Sequence, residues 1–218
     1  NFSLVPRGGG SGLTGGAVPA RRRSVILSMS RMKKIISVDR EKMLLCSQTG
    51  VITLNAINAA SARELLLTVD PASKAASSLG GNIAENAGGP FAFEYGTTLD
   101  NIFSYTMILP EGKLIRVKRR DHPRHKILPG ENAVFDIEDR HGKLMRTVSL
   151  KGTQIRAAGL GKDVSNKYLQ GLPGVQKEGV DGIITEACFT LHPRLLHSRT
   201  LCLEFFFFFI HLSIQVIM

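Results

Sequence analysis

Val5-Pro6-Arg7-Gly8-Gly9-Gly10-Ser11-Gly12-Leu13-Thr14-Gly15-Gly16 decides how the rest of the chain is read. Six of the nine residues from Gly8 to Gly16 are glycine. Each adds backbone entropy that folding must remove, so a merely structural loop has little reason to collect them. The density makes sense where backbone N–H groups converge on an anion with no Cβ in the way. Ser11 and Thr14 add hydroxyl donors, and Arg7 adds a permanent planar cation. A phosphate or pyrophosphate fits that set of donors. The competing reading is a flexible linker. Linkers are plain Gly/Ser, and Val5-Pro6, Leu13 and Thr14 interrupt that composition.

Gly10, Gly12 and Gly15 spell G-x-G-x-x-G, which alone is a weak signal. The dinucleotide form of that motif needs a helix starting inside it, with its N-terminus facing the pyrophosphate. Here Pro19 and Arg21-Arg22-Arg23 follow, and the next ordered signal is a strand, Val25-Ile26-Leu27. Asp39 stands about where a ribose-binding acid belongs, in the wrong context. A Walker A loop is excluded because no lysine follows the glycines. The stretch is therefore read as a glycine loop between strands, binding a diphosphate by another architecture.

These residues resemble the pyrophosphate loop of FAD-linked oxidases, the flavoenzymes with a vanillyl-alcohol-oxidase (PCMH-type) FAD domain. The similarity is to the glycolate oxidase and D-lactate dehydrogenase branch. A second motif agrees: Asp70-Pro71, then Ser78-Leu79-Gly80-Gly81-Asn82-Ile83-Ala84-Glu85-Asn86-Ala87-Gly88-Gly89. A third is Tyr95-Gly96-Thr97-Thr98-Leu99-Asp100-Asn101 and the strand ending Leu109-Pro110-Glu111-Gly112. A fourth runs from Glu178-Gly179-Val180-Asp181-Gly182-Ile183-Ile184 to Leu191-His192-Pro193. Their order is the family's. Lys177 stands where the family carries a serine, so contacts there are expected from the backbone near Gly182, Ile183 and Ile184.

The resemblance implies an α+β fold, with two α/β subdomains and FAD lying between them. Relative to that form, the first strand–helix–strand unit and the cap domain are missing, so the chain reads as a fragment. The expected divisions are an FAD-binding part over 1–118, an insert over 119–165 and a returning part over 166–197. Residues 198–218 form an apolar tail read as non-native. The implied cofactor contacts are Arg7, Gly8, Gly9, Gly10, Ser11, Gly12, Leu13, Thr14 and Gly15 from the loop. Pro71, Ser78, Gly80, Gly81, Asn82, Ala84 and Asn86 come from the second motif, and Gly182, Ile183 and Ile184 from the fourth. Some relatives carry a histidine in the loop, whereas Gly10-Ser11-Gly12 offers no such nucleophile, so FAD is expected to be non-covalent. The implied activity is oxidation of a small 2-hydroxy acid by hydride transfer to flavin, with an iron–sulfur domain or subunit as electron acceptor. No catalytic residue is assigned.

Composition bounds the alternatives. The chain has 218 residues, 43% of them hydrophobic, and a formal net charge of +10. The basic tract Lys113, Arg116, Lys118, Arg119, Arg120, Arg124 and Lys126 lacks interleaved aromatics. It reads as a solvated basic hairpin face rather than a nucleic-acid site. Three widely spaced cysteines, Cys46, Cys188 and Cys202, make no C-x-x-C. They point to a reducing, cytoplasmic setting rather than a disulfide scaffold. His122 and His125 share H-x-x-H spacing, but Pro123 between them disfavours a helical metal site and no third ligand is obvious, so no metal is expected. The run Phe205–Phe209 begins an apolar stretch too short to span a membrane.

Along the chain, 24–29, 34–38 and 43–47 read as strands, and Thr53 to Leu67 as a helix capped by Thr53 and ended by Val69-Asp70-Pro71. Hairpins are expected around Glu111-Gly112 and Arg140-His141-Gly142, and a strand from Asp181 to Leu191. Small residues from Gly80 to Gly89 permit either close flavin approach or tight helix–sheet packing. Glu85 reads as part of a solvated helix face rather than an acid–base group. Two readings stand beside the enzyme: an FAD-binding fragment that cannot turn over, and a basic polyanion-binding protein.

Overall fold

A computed structural model describes residues 2–122, 124–156, 166–197, 199–203 and 212–216. The run Phe205–Phe209, and residues 157–165 of the expected insert, lie outside them. Strands β1 (Ser3–Arg7) and β2 (Ser24–Ser28) pair in parallel, from Ser3 against Ser24 to Arg7 against Ser28. The glycine loop leaves the end of β1. Next come β3 (Ile35–Asp39), β4 (Leu44–Gln48), helix α1 (Thr53–Ser61) and the short β5 (Leu65–Leu66). Three short helices follow, α2 (Leu79–Glu85), α3 (Ala92–Tyr95) and α4 (Thr98–Asn101). The chain then runs through β6 (Ile102–Ile108), β7 (Leu114–Arg119), β8 (Asn132–Asp139), β9 (Leu144–Lys151) and α5 (Gly152–Ile155). A 3-10 turn at Leu169–Gly171 leads to β10 (Ile183–Thr190), β11 (His192–Pro193) and the hairpin of β12 (Arg199–Leu203) with β13 (Leu212–Val216).

Seven strands make one sheet in the order β3-β4-β10-β6-β7-β8-β9, and every neighbouring pair is antiparallel. The late strand β10 returns between β4 and β6, so the fourth motif lies beside the early part of the chain. The helices pack on this sheet without alternating with its strands, which makes the fold α+β, as expected. Alternation dictates which face is buried. In β7, Ile115, Val117 and Arg119 point inward, while Leu114, Arg116 and Lys118 are exposed. Phe135, Tyr105, Met107, Phe189, Leu45, Ile83 and Leu99 fill the core. Both hairpins form where expected, with Gly112 at φ +79° and Gly142 at φ +80° in turns that a side chain would strain. The second of them, β8–β9, prolongs the sheet from within the region 119–165.

Three expectations are corrected. The helix from Thr53 stops at Ser61 rather than Leu67. Ile52 is its N-cap, with no side-chain cap bond, and the Thr53 hydroxyl donates instead to the Ser77 carbonyl at 3.1 Å. Glu64 then adopts φ +58°, and Leu65-Leu66 pairs with Pro193-His192. A long-range strand pairing overrides helix propensity there. Arg119 leaves the expected solvated basic face and is 2% exposed. Finally, Cys46 and Cys188 form a disulfide across a sequence separation of 142 residues. The return of β10 beside β4 places the two directly opposite one another, which spacing along the chain does not reveal. The cysteine-based argument for a reducing compartment falls with it. Thiol titration of the denatured chain without reductant should therefore find one reactive cysteine of the three, and three after reduction. Three before reduction would contradict the pairing.

Among the described residues, no helix is long and apolar enough to cross a membrane.

Candidate cofactor site

An open cleft of about 880 Å³, its solvent-filled mouth included, lies between the glycine loop, α2 and the start of β10. Its walls are held by a buried hydrogen-bond relay. Asn82 Nδ2 donates to Thr53 Oγ1 at 2.8 Å, and Thr53 shares a 2.8 Å bond with Ser77. The Thr49 hydroxyl donates to the Ile184 carbonyl at 2.6 Å, tying β4 to β10 where both meet the cleft. Ser78 caps α2 by accepting from Gly81 N at 3.2 Å. Asn86 ends the helix at φ +52°, and its Oδ1 accepts from Leu99 N at 2.8 Å. Beyond it, Gln176 N and Glu178 N donate to the carbonyls of Ile83 and Ala84, clipping residues 176–178 onto the end of α2.

Of the expected contacts, the structure brings Gly8, Gly9, Gly10, Ser11, Gly12, Ser78, Gly80, Gly81, Asn82, Ala84, Gly182, Ile183 and Ile184 to this cleft. Arg7, Leu13, Thr14, Gly15, Pro71 and Asn86 do not line it. The Arg7 guanidinium lies over the loop itself, with Nε 2.9 Å from where a Gly10 Cβ would stand. The side chains of Asn82 and Asn86 serve neighbouring backbone and side chains, so they shape the cleft from behind. The glycines divide by role. A Cβ on Gly80 would stand 2.7 Å from Thr49 Cβ, so its smallness serves packing. A Cβ on Gly81 would meet only Ser78 Oγ, at 3.3 Å, so its smallness keeps the cleft wall low. On the other side of the loop, a second cleft shares Gly8, Gly9 and Ser78 and adds Lys33 and Asn55.

Glu85, expected on a solvated helix face, is half-buried and also lines the open cleft. Both its carboxylate oxygens accept from Thr14 Oγ1, at 3.0 and 3.1 Å. The signal was present in the spacing, because Glu85 follows Gly81 by four residues and so shares its helix face. Thr49 and Ser77 are further lining residues that no motif marked, and Glu178, which opens the fourth motif, lines the cleft without having been expected as a contact.

The loop fits a diphosphate. Among the described residues, none of the amide groups from Gly8 to Gly16 donates to a protein acceptor. Such donors, on a backbone bare of side chains, are what an anion with several oxygens can satisfy.

A separate buried polar group lies around α4. Asp100 is fully buried and pairs with Arg156, whose side chain is 9% exposed. The Arg119 guanidinium donates to the Asp100 carbonyl at 3.0 Å. Burial pushes Arg119 down to about 10, opposed by Asp100 and Glu131, so it stays charged at neutral pH. Burial, with Arg119 adding to it, pushes His122 down to about 3. His192 falls to about 4 from burial, with a smaller contribution from Arg124. Asn101 uses its amide nitrogen to donate to the carbonyls of Tyr95 and Thr97, so its oxygen must accept. The neutral His192 ring therefore donates from Nε2, at 3.0 Å. His125 turns to Glu131, 3.4 Å away, and among the described residues no group of three potential ligands gathers for a metal.

Residues 1–118 match the protein family described as FAD binding domain. The chain is 31% identical over 198 residues to glycolate oxidase subunit GlcD of Bacillus subtilis, covering 91% of this chain and 33% of that protein. It is 37% identical over 114 residues to D-lactate dehydrogenase of Anaerostipes hadrus, covering 52% and 24%. Among solved structures, alkyldihydroxyacetonephosphate synthase superposes with a TM-score of 0.60 at 25% identity, over 92% of this chain and 29% of that one. The chain thus spans about a third or less of the length of these relatives.

Proposed function

The chain belongs to the FAD binding domain family, and we propose that it is the FAD-binding portion of an oxidoreductase that oxidises a small 2-hydroxy acid. The observation that carries the cofactor assignment is the run of uncommitted amides from Gly8 to Gly16, part of which, Gly8 to Gly12 and Gly16, lines one cleft with Gly81. Loop amides would hold the diphosphate, and Gly81 and Ala84 would admit the flavin end past α2. The backbone of Gly182 to Ile184 would border it from β10. FAD would be held without a covalent bond, and once bound would supply the hydride-accepting chemistry. The substrate class rests on the names of the relatives, glycolate oxidase and D-lactate dehydrogenase. Transfer onward to an iron–sulfur domain or subunit completes the proposal.

The test is titration of the purified chain with FAD, followed by visible absorbance and flavin fluorescence. One FAD per chain is expected, and a saturating excess that leaves the spectrum of free FAD unchanged would refute the assignment. Reduction of a dye by the FAD-loaded chain with glycolate or lactate separates turnover from cofactor binding alone.

A further inference from the structure

We propose that Glu85 is a gate on the glycine loop that opposes entry of the diphosphate. This rests on the FAD reading above and specifies what the chain sets against its own cofactor. Three observations meet at this residue. First, both oxygens of the Glu85 carboxylate accept from the Thr14 hydroxyl, so the side chain bridges α2 to the loop. Second, a Cβ on Gly12 would lie 3.0 Å from Glu85 Oε1, so the carboxylate rests directly against the loop backbone. Third, among the described residues that line the cleft, there is no lysine or arginine; Glu178 lines it too, but its carboxylate lies 4.0 Å from Lys167 Nζ, which leaves Glu85 as the carboxylate at the loop. A side-chain anion therefore sits against amide groups that have no protein acceptor, on the same helix face as the open glycine Gly81.

The consequence is electrostatic. FAD brings two negative charges in its diphosphate, and a carboxylate a few ångströms away opposes them; no cation lines the cleft itself, and the Arg7 guanidinium over Gly10 offsets only part of that opposition. Entry requires the Thr14–Glu85 bond to open and the carboxylate to swing toward solvent. The loop amides and the Thr14 hydroxyl then turn to phosphate oxygens. Glu85 so lowers affinity for the diphosphate end of the cofactor and leaves the flavin end untouched. A buried structural carboxylate would do neither, since its loss would loosen the whole site.

The experiment compares the full chain with Glu85→Gln and Glu85→Ala, titrated with FAD, with ADP in competition, and with riboflavin. Glutamine keeps a partner for Thr14 but removes the charge; alanine removes both. Each variant is expected to bind FAD and ADP roughly fivefold more tightly, since one screened charge pair at this range is worth about a kilocalorie. Riboflavin, which has no phosphate, should show the same affinity or lack of it in all three proteins. Equal or weaker FAD binding by both variants would overturn the gate while leaving the FAD reading intact. So would a riboflavin gain equal to that for FAD. No FAD binding by any of the three proteins would sink both. Thermal melts of the ligand-free proteins accompany the titrations. A variant whose midpoint matches the parent yet binds more tightly supports the gate, because a structural loss predicts the reverse.

Discussion

Replacing Gly81 with leucine should lower FAD affinity at least ~100-fold while leaving the ligand-free melting midpoint within a few degrees of the parent. The argument begins with what surrounds the position. A Cβ there meets only Ser78 Oγ at 3.3 Å, and the rest of a leucine would extend into the cleft. In the helix itself leucine is favoured over glycine by up to ~1 kcal/mol, so α2 loses nothing. The added side chain would stand where the cofactor must pass, and the rigid cap at Ser78 gives it little room to retreat. The neighbouring glycine supplies the control. Gly80→Ala puts its Cβ 2.7 Å from Thr49 Cβ, and overpacking of that kind costs ~1–3 kcal/mol whether or not ligand is present. Its melting midpoint should fall without FAD, and its affinity for FAD should change less. If Gly81→Leu instead melts early and binds FAD as the parent does, the two glycines have been assigned the wrong way round.

That division between adjacent glycines shows where sequence reading stops. Glycine density at 8–16 was legible because few demands other than backbone donation to an anion explain it. The two hairpins were legible because alternation in β7 and β8, with glycine at the turns, is local information. Asn82 and Asn86 were expected at the cofactor on the strength of the motif. Asn82 lines the cleft and Asn86 does not, and their side chains secure Thr53 and the Leu99 amide. An inward-facing asparagine and a ligand-facing one look alike in sequence, since the difference lies in which way the helix is rotated. The Cys46–Cys188 pair and the end of α1 depended on β10 and β11 returning from over a hundred residues away, which no local pattern encodes. Arg119 was read as one more cation in a basic tract. Its burial follows from strand parity: it shares a face with Ile115 and Val117, and a carbonyl and a carboxylate await it.

That same buried polar group should give the largest loss of stability. Asp100→Ala is expected to cost ~3–5 kcal/mol, a large part of the ~5–15 kcal/mol typical of a domain. Asp100 Oδ2 accepts from Thr97 N at 2.7 Å and Thr97 Oγ1 at 3.1 Å, completing the capping box of α4, and also pairs with Arg156. Oδ1 accepts from Ile127 N at 2.9 Å. Removing the carboxylate strands a buried guanidinium and two buried amides at once, with Arg119 nearby adding positive charge that only Glu131 then offsets in part. Asp100→Asn keeps the shape and one acceptor oxygen but not the charge, and should fall between the parent and alanine. The comparison is Asp136→Ala, which breaks the partly solvated pair with Arg120 at 2.6 Å, where the arginine is 51% exposed. Water screens that pair, so its loss should cost less than ~1 kcal/mol. Urea denaturation of the three variants measures the difference directly. An Asp100→Ala midpoint no lower than that of Asp136→Ala would show that the cluster around α4 does not hold the fold together as its burial implies.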